Sequence, residues 1–137
     1  MITAVDTNIL LDLWLGNEGQ VESSRAALES AAVTGSLVIN SVVYAEFCAH
    51  FSRKSDCDHF LRDADIAIDP LSNESCFFAS RIWLQYRKQG GPRTRILPDF
   101  LIGAHAQTQA TRLLSRDAGF FRKQFPQLRL VNPGRAS

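Results

Sequence analysis

The chain is poor in several features that mark specialised protein classes. Only three of its 137 residues are cysteine (Cys48, Cys57 and Cys76), and no two of them have the CxxC spacing of zinc or redox sites. Such cysteines are typical of free thiols and predict a reducing, cytoplasmic location. No segment approaches the roughly 18 consecutive apolar residues of a membrane helix, and the N-terminus lacks a basic region followed by an apolar core. We therefore expect neither export nor membrane insertion.

Charge and common motifs exclude further classes. Fifteen basic and 14 acidic residues give a formal net charge of +1, so polyanion binding would need a local cluster rather than an overall positive field. The chain contains no GxxxxGK[ST], GxGxxG or GxSxG segment, which removes the common nucleotide-binding and serine-hydrolase schemes. The histidines, His50, His59 and His105, lack zinc-like spacing and are interpreted as packing or surface residues.

Short apolar runs alternate with longer helix-like segments along the chain. The pattern predicts strands at 2–5, 37–39, 66–68, 112–114 and 129–131, and helices at 8–15, 21–33, 41–51, 57–64, 74–89 and 100–110. This alternation is typical of an α/β fold in which helices cover both faces of a parallel sheet. The length predicts one domain, over residues 1–131, followed by a short flexible tail at 132–137.

Four acidic residues stand where apolar segments begin or end: Asp6, Glu46, Asp99 and Asp117. Because the carboxyl ends of parallel strands meet at one edge of a sheet, we expect the four carboxylates to converge. Each residue also has a simpler interpretation. Asp6 and Asp99 suit helix caps, Asp117 suits a turn, and Glu46 can lean from an apolar helix face into solvent.

A convergent acidic cluster has a chemical consequence. At about 4 Å and an effective dielectric near 20, two carboxylates repel by roughly 4 kcal/mol. Three or four carboxylates in one cleft therefore need a divalent cation or protonation. Oxygen ligands select hard cations, which favours Mg²⁺, with Mn²⁺ as a substitute. The combination predicts a metal-dependent phosphodiesterase.

The segments that carry these acids resemble the successive motifs of a known family. VDTNILLDL from Val5, the helix with Glu46, PDFLIGAHA from Pro98 and LLSRDAGFF from Leu113 resemble the PIN domain, and more narrowly the VapC-like ribonuclease toxins of type II toxin–antitoxin systems. The resemblance implies a three-layer α/β sandwich with a five-stranded parallel sheet. It also implies a Mg²⁺-dependent endoribonuclease, a homodimer and a cognate antitoxin that blocks the cleft.

The same resemblance implies roles for individual residues. The implied catalytic residues are Asp6, Glu46, Asp99 and Asp117, of which Asp6, Asp99 and Asp117 are metal ligands. Polar supports are implied at Thr7, Asn8 and Ser115, and Ser115 stands where a threonine is usual, which keeps the hydroxyl.

The sequence predicts a mobile loop at 92–98, after Gly90-Gly91, and basic residues around this loop are interpreted as RNA contacts. Arg93, Arg95 and Arg116 would steer the RNA backbone, together with Arg87 and Lys88 at the end of the preceding helix. Tyr86 or Trp83 would stack a base. A solvated helix end and loop explain the same basic cluster, because cations favour helix C-termini.

Two other functions stay open at this stage. A structure-selective flap nuclease shares the acidic chemistry but usually needs strand-threading elements, for which the chain has little room. A PIN-fold binding module would keep the fold without catalysis. Large apolar side chains near helix ends, Trp14, Leu15, Phe51 and Trp83, indicate either a partner surface or core packing.

Overall fold

The structure is a computed structural model that describes residues 1–93 and 95–134. Its strands are β1 Ile2–Val5, β2 Ser36–Ile39, β3 Ile66–Ile68, β4 Arg112–Leu114 and β5 Leu130–Val131. The helices are α1 Thr7–Leu15, α2 Val21–Thr34, α3 Ser41–Cys48, α4 Lys54–Asp63, α5 Asn73–Lys88, α6 Leu97–Gln109 and α7 Ala118–Gln124. Part of the predicted tail, residues 135–137, lies outside the described residues. None of the described helices is both long enough and apolar enough to cross a lipid bilayer.

The five strands form one parallel sheet in the order β3-β2-β1-β4-β5. The central strand β1 pairs with β2 on one side and β4 on the other, so that Ala4 lies opposite both Val38 and Leu113. The chain first builds the sheet outward through β2 and β3 and then returns to add β4 and β5. The strand order therefore reverses between β1 and β4, and a crevice for ligands is expected beyond the carboxyl ends of these two strands. The predicted α/β fold class with a five-stranded parallel sheet is confirmed.

Aromatic rings fill the core beneath this edge. Phe47, Phe100, Phe121 and Phe125 are each at most 2% exposed. The glycine of α6 makes room for one ring, because a Cβ added at Gly103 would lie 2.4 Å from Cε2 of Phe125. Burial of each such ring contributes roughly 1.5–3 kcal/mol. Phe47 packs α3 against Phe60 of α4, and Phe100 packs α6 against Phe125. Both helices carry predicted site residues.

Four helices differ from the sequence prediction by more than one residue. Helix α3 ends at Cys48 rather than at residue 51, and α4 begins at Lys54 rather than at 57. The helix α7 was not predicted, because its seven residues contain Gly119, a poor helix former. Helix α6 begins at Leu97 with Pro98 in its first turn, where the missing N–H costs no helical hydrogen bond. Asp99 therefore lies inside the helix rather than at its cap.

Candidate active site

The four predicted carboxylates line one pocket of about 380 Å³ at the carboxyl edge of the sheet. Asp6 follows β1, and Asp117 follows β4 by three residues. Glu46 projects from α3, and Asp99 from the first turn of α6. Four elements that are distant in sequence thus contribute one acid each. We call this cavity the acidic pocket.

Asp6 has a structural role as a helix cap and also lies in the acidic pocket. Its Oδ1 accepts a hydrogen bond from the backbone N–H of Thr7 at 2.7 Å, which caps α1. Its Oδ2 accepts from the Ser115 hydroxyl at 2.6 Å. Burial raises the pKa of Asp6 to about 6, although these two hydrogen bonds oppose the rise, and the negative charges of Glu46 and Asp117 add to it. The two interpretations of Asp6 are therefore compatible.

The predicted supporting residues connect the acids to one another. The Thr7 hydroxyl donates to Oε1 of Glu46 at 2.6 Å, so the exposed Glu46 side chain has a fixed partner. The Ser115 Oγ, besides donating to Asp6, accepts from the backbone N–H of Asp117 at 2.9 Å. Asn8 lies beside Asp6 and Ser115, and its Nδ2 atom is 3.4 Å from Oδ2 of Asp6. Serine thus provides the hydroxyl that the family's threonine would supply.

Asp99 and Asp117 share a basic neighbour. Arg95 donates two hydrogen bonds to Asp117, at 2.6 and 3.1 Å. Its guanidinium also lies 4.4 Å from the centre of the Phe120 ring. Burial raises the pKa of Asp99, an effect that Arg95 opposes and the charge of Asp117 reinforces. The Asp117 side of the pocket is thus neutralised by an internal cation, whereas Asp6 is not.

The donor set suits a hard cation, but its atoms are engaged with protein partners. Within residues 1–93 and 95–134, no three His, Cys, Asp or Glu side chains form a preassembled metal cluster. The Ser115 hydroxyl occupies one oxygen of Asp6, and Arg95 occupies Asp117. Four carboxylates nevertheless face one pocket, where burial raises the pKa of Asp6 and Asp99 and the neighbouring negative charges add to the rise. A divalent cation fits this chemistry and would compete with Arg95.

The three arginines predicted to contact RNA occupy different environments. Arg93 is exposed in the turn after Pro92. Arg95 pairs with Asp117, as described above. The Arg116 guanidinium contacts both oxygens of the fully buried Asp12 at 2.7 Å, which ties the end of β4 to α1. Contact of these arginines with RNA stays a prediction, and Arg93 is the one with an exposed side chain.

The aromatic residues predicted to stack a base also differ. Tyr86 is 7% exposed, packs against Phe100 and donates its hydroxyl to the backbone oxygen of Pro92 at 2.6 Å. The prediction that Tyr86 stacks a base is therefore wrong, because its ring belongs to the core. Trp83 is half-buried, with the Arg87 guanidinium 5.4 Å from its ring centre.

Two residues of this region were not singled out from the sequence as site residues. Asp12 lies within the VDTNILLDL segment and accepts hydrogen bonds from Arg116, Ser24 and Asn17. The sequence feature that could have identified Asp12 is an acidic residue inside an otherwise apolar helix. His50 was interpreted as a packing or surface residue, but it lines the acidic pocket. Its signal was the four-residue spacing from Glu46 within the predicted helix 41–51, which would bring both side chains to one side. In the structure His50 lies two residues beyond the end of α3.

A second cavity adjoins the acidic pocket. It measures about 720 Å³ and is lined by aromatic side chains with a polar rim: Trp14, His50, Phe51, Ser52, Asp56, His59, Phe60, Asp63 and Ala64. We call it the aromatic pocket. The Trp14 side chain is 43% exposed, and its ring lies 4.4 Å from that of Phe51 and 5.7 Å from that of Phe60. His50 lines both pockets.

Comparison with known proteins agrees with this architecture. A family model described as the PIN domain matches residues 3–126. A chain in the crystal structure of VapBC2 from Rickettsia felis, bound to a promoter DNA fragment, is 25% identical with a TM-score of 0.73, covering 97% of this chain and 99% of that one.

Two further solved structures have the same fold. A chain of a toxin–antitoxin complex from Klebsiella pneumoniae is 24% identical with a TM-score of 0.67, covering 98% of this chain and 99% of its own. A chain of VapBC-1 from nontypeable Haemophilus influenzae is 20% identical with a TM-score of 0.71, covering 96% of this chain and 98% of its own. No curated protein sequence gives a significant match. Since the family model spans most of the sequence and the fold agrees, the chain belongs to the PIN domain family.

Proposed function

We propose that the chain is a Mg²⁺-dependent endoribonuclease and the toxin of a VapBC-like toxin–antitoxin module. The observation that carries this proposal is the gathering of Asp6, Glu46, Asp99 and Asp117 in one pocket at the strand-order reversal. Membership of the PIN family supports a nuclease. Likeness to a chain of a VapBC complex supports the toxin assignment.

In this proposal Asp6, Asp99 and Asp117 hold the cation. When bound, Mg²⁺ would polarise the scissile phosphate and make a water molecule more acidic. The Ser115 hydroxyl fixes one oxygen of Asp6. Arg95 holds Asp117 and would have to release it before Asp117 could bind the cation. The released guanidinium would then be free to pair with a phosphate oxygen.

Glu46 is the proposed general base. The Thr7 hydroxyl holds its Oε1, which leaves Oε2 to accept a proton from the attacking water. The water oxygen bonds to phosphorus as the bond to the 3′-oxygen breaks. The leaving 3′-oxygen takes a proton from solvent, which gives a 3′-hydroxyl on one fragment and a 5′-phosphate on the other. The protein groups therefore position the cation and the proton acceptor.

RNA cleavage by matched variants tests the proposed centre. We expect the Asp6→Asn and Asp99→Asn variants to lose cleavage of a labelled RNA in Mg²⁺ while keeping the circular dichroism of the parent. Asp63→Asn is the matched control, because Asp63 is exposed and pairs with His59 on its own helix. Undiminished cleavage by both pocket variants would remove the proposed centre. Cleavage of a DNA flap but not of RNA would instead support the flap nuclease.

We infer that the aromatic pocket receives an apolar segment of a cognate antitoxin. The partially exposed rings of Trp14, Phe51 and Phe60 provide an apolar surface with an acidic and histidine rim. An amphipathic segment with basic flanks would match this surface. The test is to look for a short reading frame beside the gene and to measure the affinity of its purified product for this chain, which Trp14→Ala should weaken at least tenfold, a typical loss for an aromatic anchor. Unchanged affinity would place the partner elsewhere.

The homodimer implied by the family resemblance is part of the proposal. Light scattering on the purified chain tests it, and the mass of a single chain at micromolar concentration would contradict it.

A PIN-fold binding module without catalysis is the alternative function. The bidentate Arg95–Asp117 pair favours it, because a carboxylate held by an arginine is a weaker cation ligand. Titration with Mn²⁺ separates the two functions. Binding that depends on Asp6 and Asp99 supports the enzyme, and no binding at millimolar Mn²⁺ supports the module.

A further inference from the structure

Two cysteine thiols lie in contact at the junction of α3 and α4. The Sγ atoms of Cys48 and Cys57 are 3.2 Å apart. Cys48 is the last residue of α3 and is half-buried, whereas Cys57 in the first turn of α4 is fully buried. We propose that this pair is a reversible oxidation site, at which a low-molecular-weight disulfide converts the two thiols into one intramolecular disulfide. The inference is independent of the proposed nuclease function.

Neighbouring contacts hold the two helices together. The Tyr44 hydroxyl of α3 donates to Asp58 of α4 at 2.7 Å, and Lys54 donates to the same carboxylate at 2.6 Å. The Phe47 and Phe60 rings pack at a centroid distance of 5.2 Å. Because polar and aromatic contacts join α3 to α4, the thiols need only a small local movement to bond. Disulfides in reducing compartments are usually transient and regulatory, which suits a pair preformed in this way.

Exposure and acidity assign different roles to the two sulfurs. Cys48 is accessible enough to meet a small disulfide. Burial raises the pKa of the Cys57 thiol to about 12, so Cys57 stays protonated and reacts second. The Cys48 thiolate attacks one sulfur of the small disulfide, breaks its S–S bond and releases one thiol. Cys57 then loses its proton, attacks the Cys48 sulfur and releases the second thiol. Two electrons thus pass from the protein to the small disulfide, which leaves as two thiols.

The new bond would close a short ring that borders both pockets. The ring contains residues 48–57, including His50, which lines both cavities, and Phe51, which stacks on Trp14. It also anchors the end of α3, the helix that carries Glu46. Oxidation is therefore expected to stiffen the wall between the acidic and aromatic pockets and to raise the melting temperature of the domain.

Oxidation of the full chain tests this site. The Cys76→Ser variant serves as the parent, because Cys76 is an exposed third thiol on α5. After incubation with glutathione disulfide, we expect a monomer lighter by two hydrogen atoms, with the Cys48 and Cys57 peptides linked. The melting temperature should rise by about 5 °C, and dithiothreitol should reverse both changes.

Two further variants distinguish this site from general thiol reactivity. In the same background, Cys57→Ala should stop at a stable mixed disulfide on Cys48, and Cys48→Ser should neither cross-link nor gain thermal stability. The proposal is overturned if Cys48 and Cys57 both remain open to alkylation after prolonged oxidation. It is also overturned if the protein keeps glutathione on Cys48 without closing the ring, or forms only intermolecular disulfides.

Discussion

Arg95 holds Asp117 through two hydrogen bonds, at 2.6 and 3.1 Å, on the side of the pocket where a cation would bind. The same guanidinium lies against the Phe120 ring, so its position is fixed by packing as well as by charge. Arg95 therefore acts as an internal counter-ion for one of the proposed metal ligands. Any cation that uses Asp117 must displace it.

Removing this internal counter-ion should strengthen metal binding. Both side chains of the pair are about one-third exposed, so solvent screens the interaction and its loss is worth about 1 kcal/mol. We expect Arg95→Gln to raise Mn²⁺ affinity about fivefold, measured by calorimetry. Arg93→Gln, which changes an exposed arginine in the same loop, should leave the affinity unchanged. Equal or weaker binding by Arg95→Gln would show that Arg95 does not compete with the cation.

The raised pKa of Asp6 predicts an unusual pH dependence of stability. Burial raises this pKa from 3.8 to about 6 in the folded protein. The folded state therefore binds a proton more tightly than the unfolded state, and the contribution of Asp6 to stability falls as pH rises from about 4 to about 6. The contribution of Asp6 to the free energy of unfolding falls by about 3 kcal/mol over this change in pH.

Urea unfolding without divalent cations, at about pH 4.5 and about pH 7.5, measures this effect. The Asp6→Asn variant should lose that part of the pH dependence, so that its stability relative to the parent is higher at the upper pH. Asp63→Asn should follow the parent, because Asp63 is exposed. Identical pH dependence in the parent and Asp6→Asn would mean that Asp6 ionises normally.

The ion pair between the buried Asp12 and the partly exposed Arg116 should be important for stability. Burial acts to raise the pKa of Asp12, but hydrogen bonds from Arg116, Ser24 and Asn17 outweigh it and lower the pKa. Arg116→Ala would leave a buried carboxylate without its cation. We expect the free energy of unfolding, measured by chemical denaturation, to fall by about 3 kcal/mol. Adding Asp12→Asn should recover part of that loss. Exposed Arg122→Ala is the control, and an Arg116→Ala loss no larger than that of the control would show that the pair contributes little.

Thr7 is predicted to be a positioning residue for Glu46. Its hydroxyl donates to Oε1 of Glu46 at 2.6 Å, and removing such an orienting partner typically costs 10–100-fold in activity. Thr7→Val should reduce kcat for RNA cleavage at least tenfold with little change in KM, and Thr7→Ser should restore it. If both variants lose activity equally, the effect belongs to packing rather than to the hydroxyl.

Much of the fold followed from local sequence patterns. Each of the five strands was predicted to within one residue, because short apolar runs are separated by clear helical segments. The acids Asp6 and Asp117 were expected at one edge because they follow strands that lie parallel. Helix ends were less predictable, since the end of α3 depends on the turn that follows it rather than on its own apolar period.

The partners of the long side chains could not be predicted. Arg95 and Arg116 looked equivalent in sequence, but one pairs with Asp117 and the other with Asp12. A flexible side chain of this length can reach several carboxylates, and tertiary packing decides which one it contacts. The buried position of Tyr86 likewise depends on Phe100 and the Pro92 backbone, which lie several residues away in the chain.

Calorimetric titration of Mn²⁺ into the parent chain and the Asp99→Asn variant tests the central claim most directly. We predict saturable binding to the parent at neutral pH and at least tenfold weaker binding to Asp99→Asn, because the acidic pocket needs all of its ligands. Absence of binding to the parent at millimolar Mn²⁺, or equal binding to both proteins, would contradict a cation held by these carboxylates.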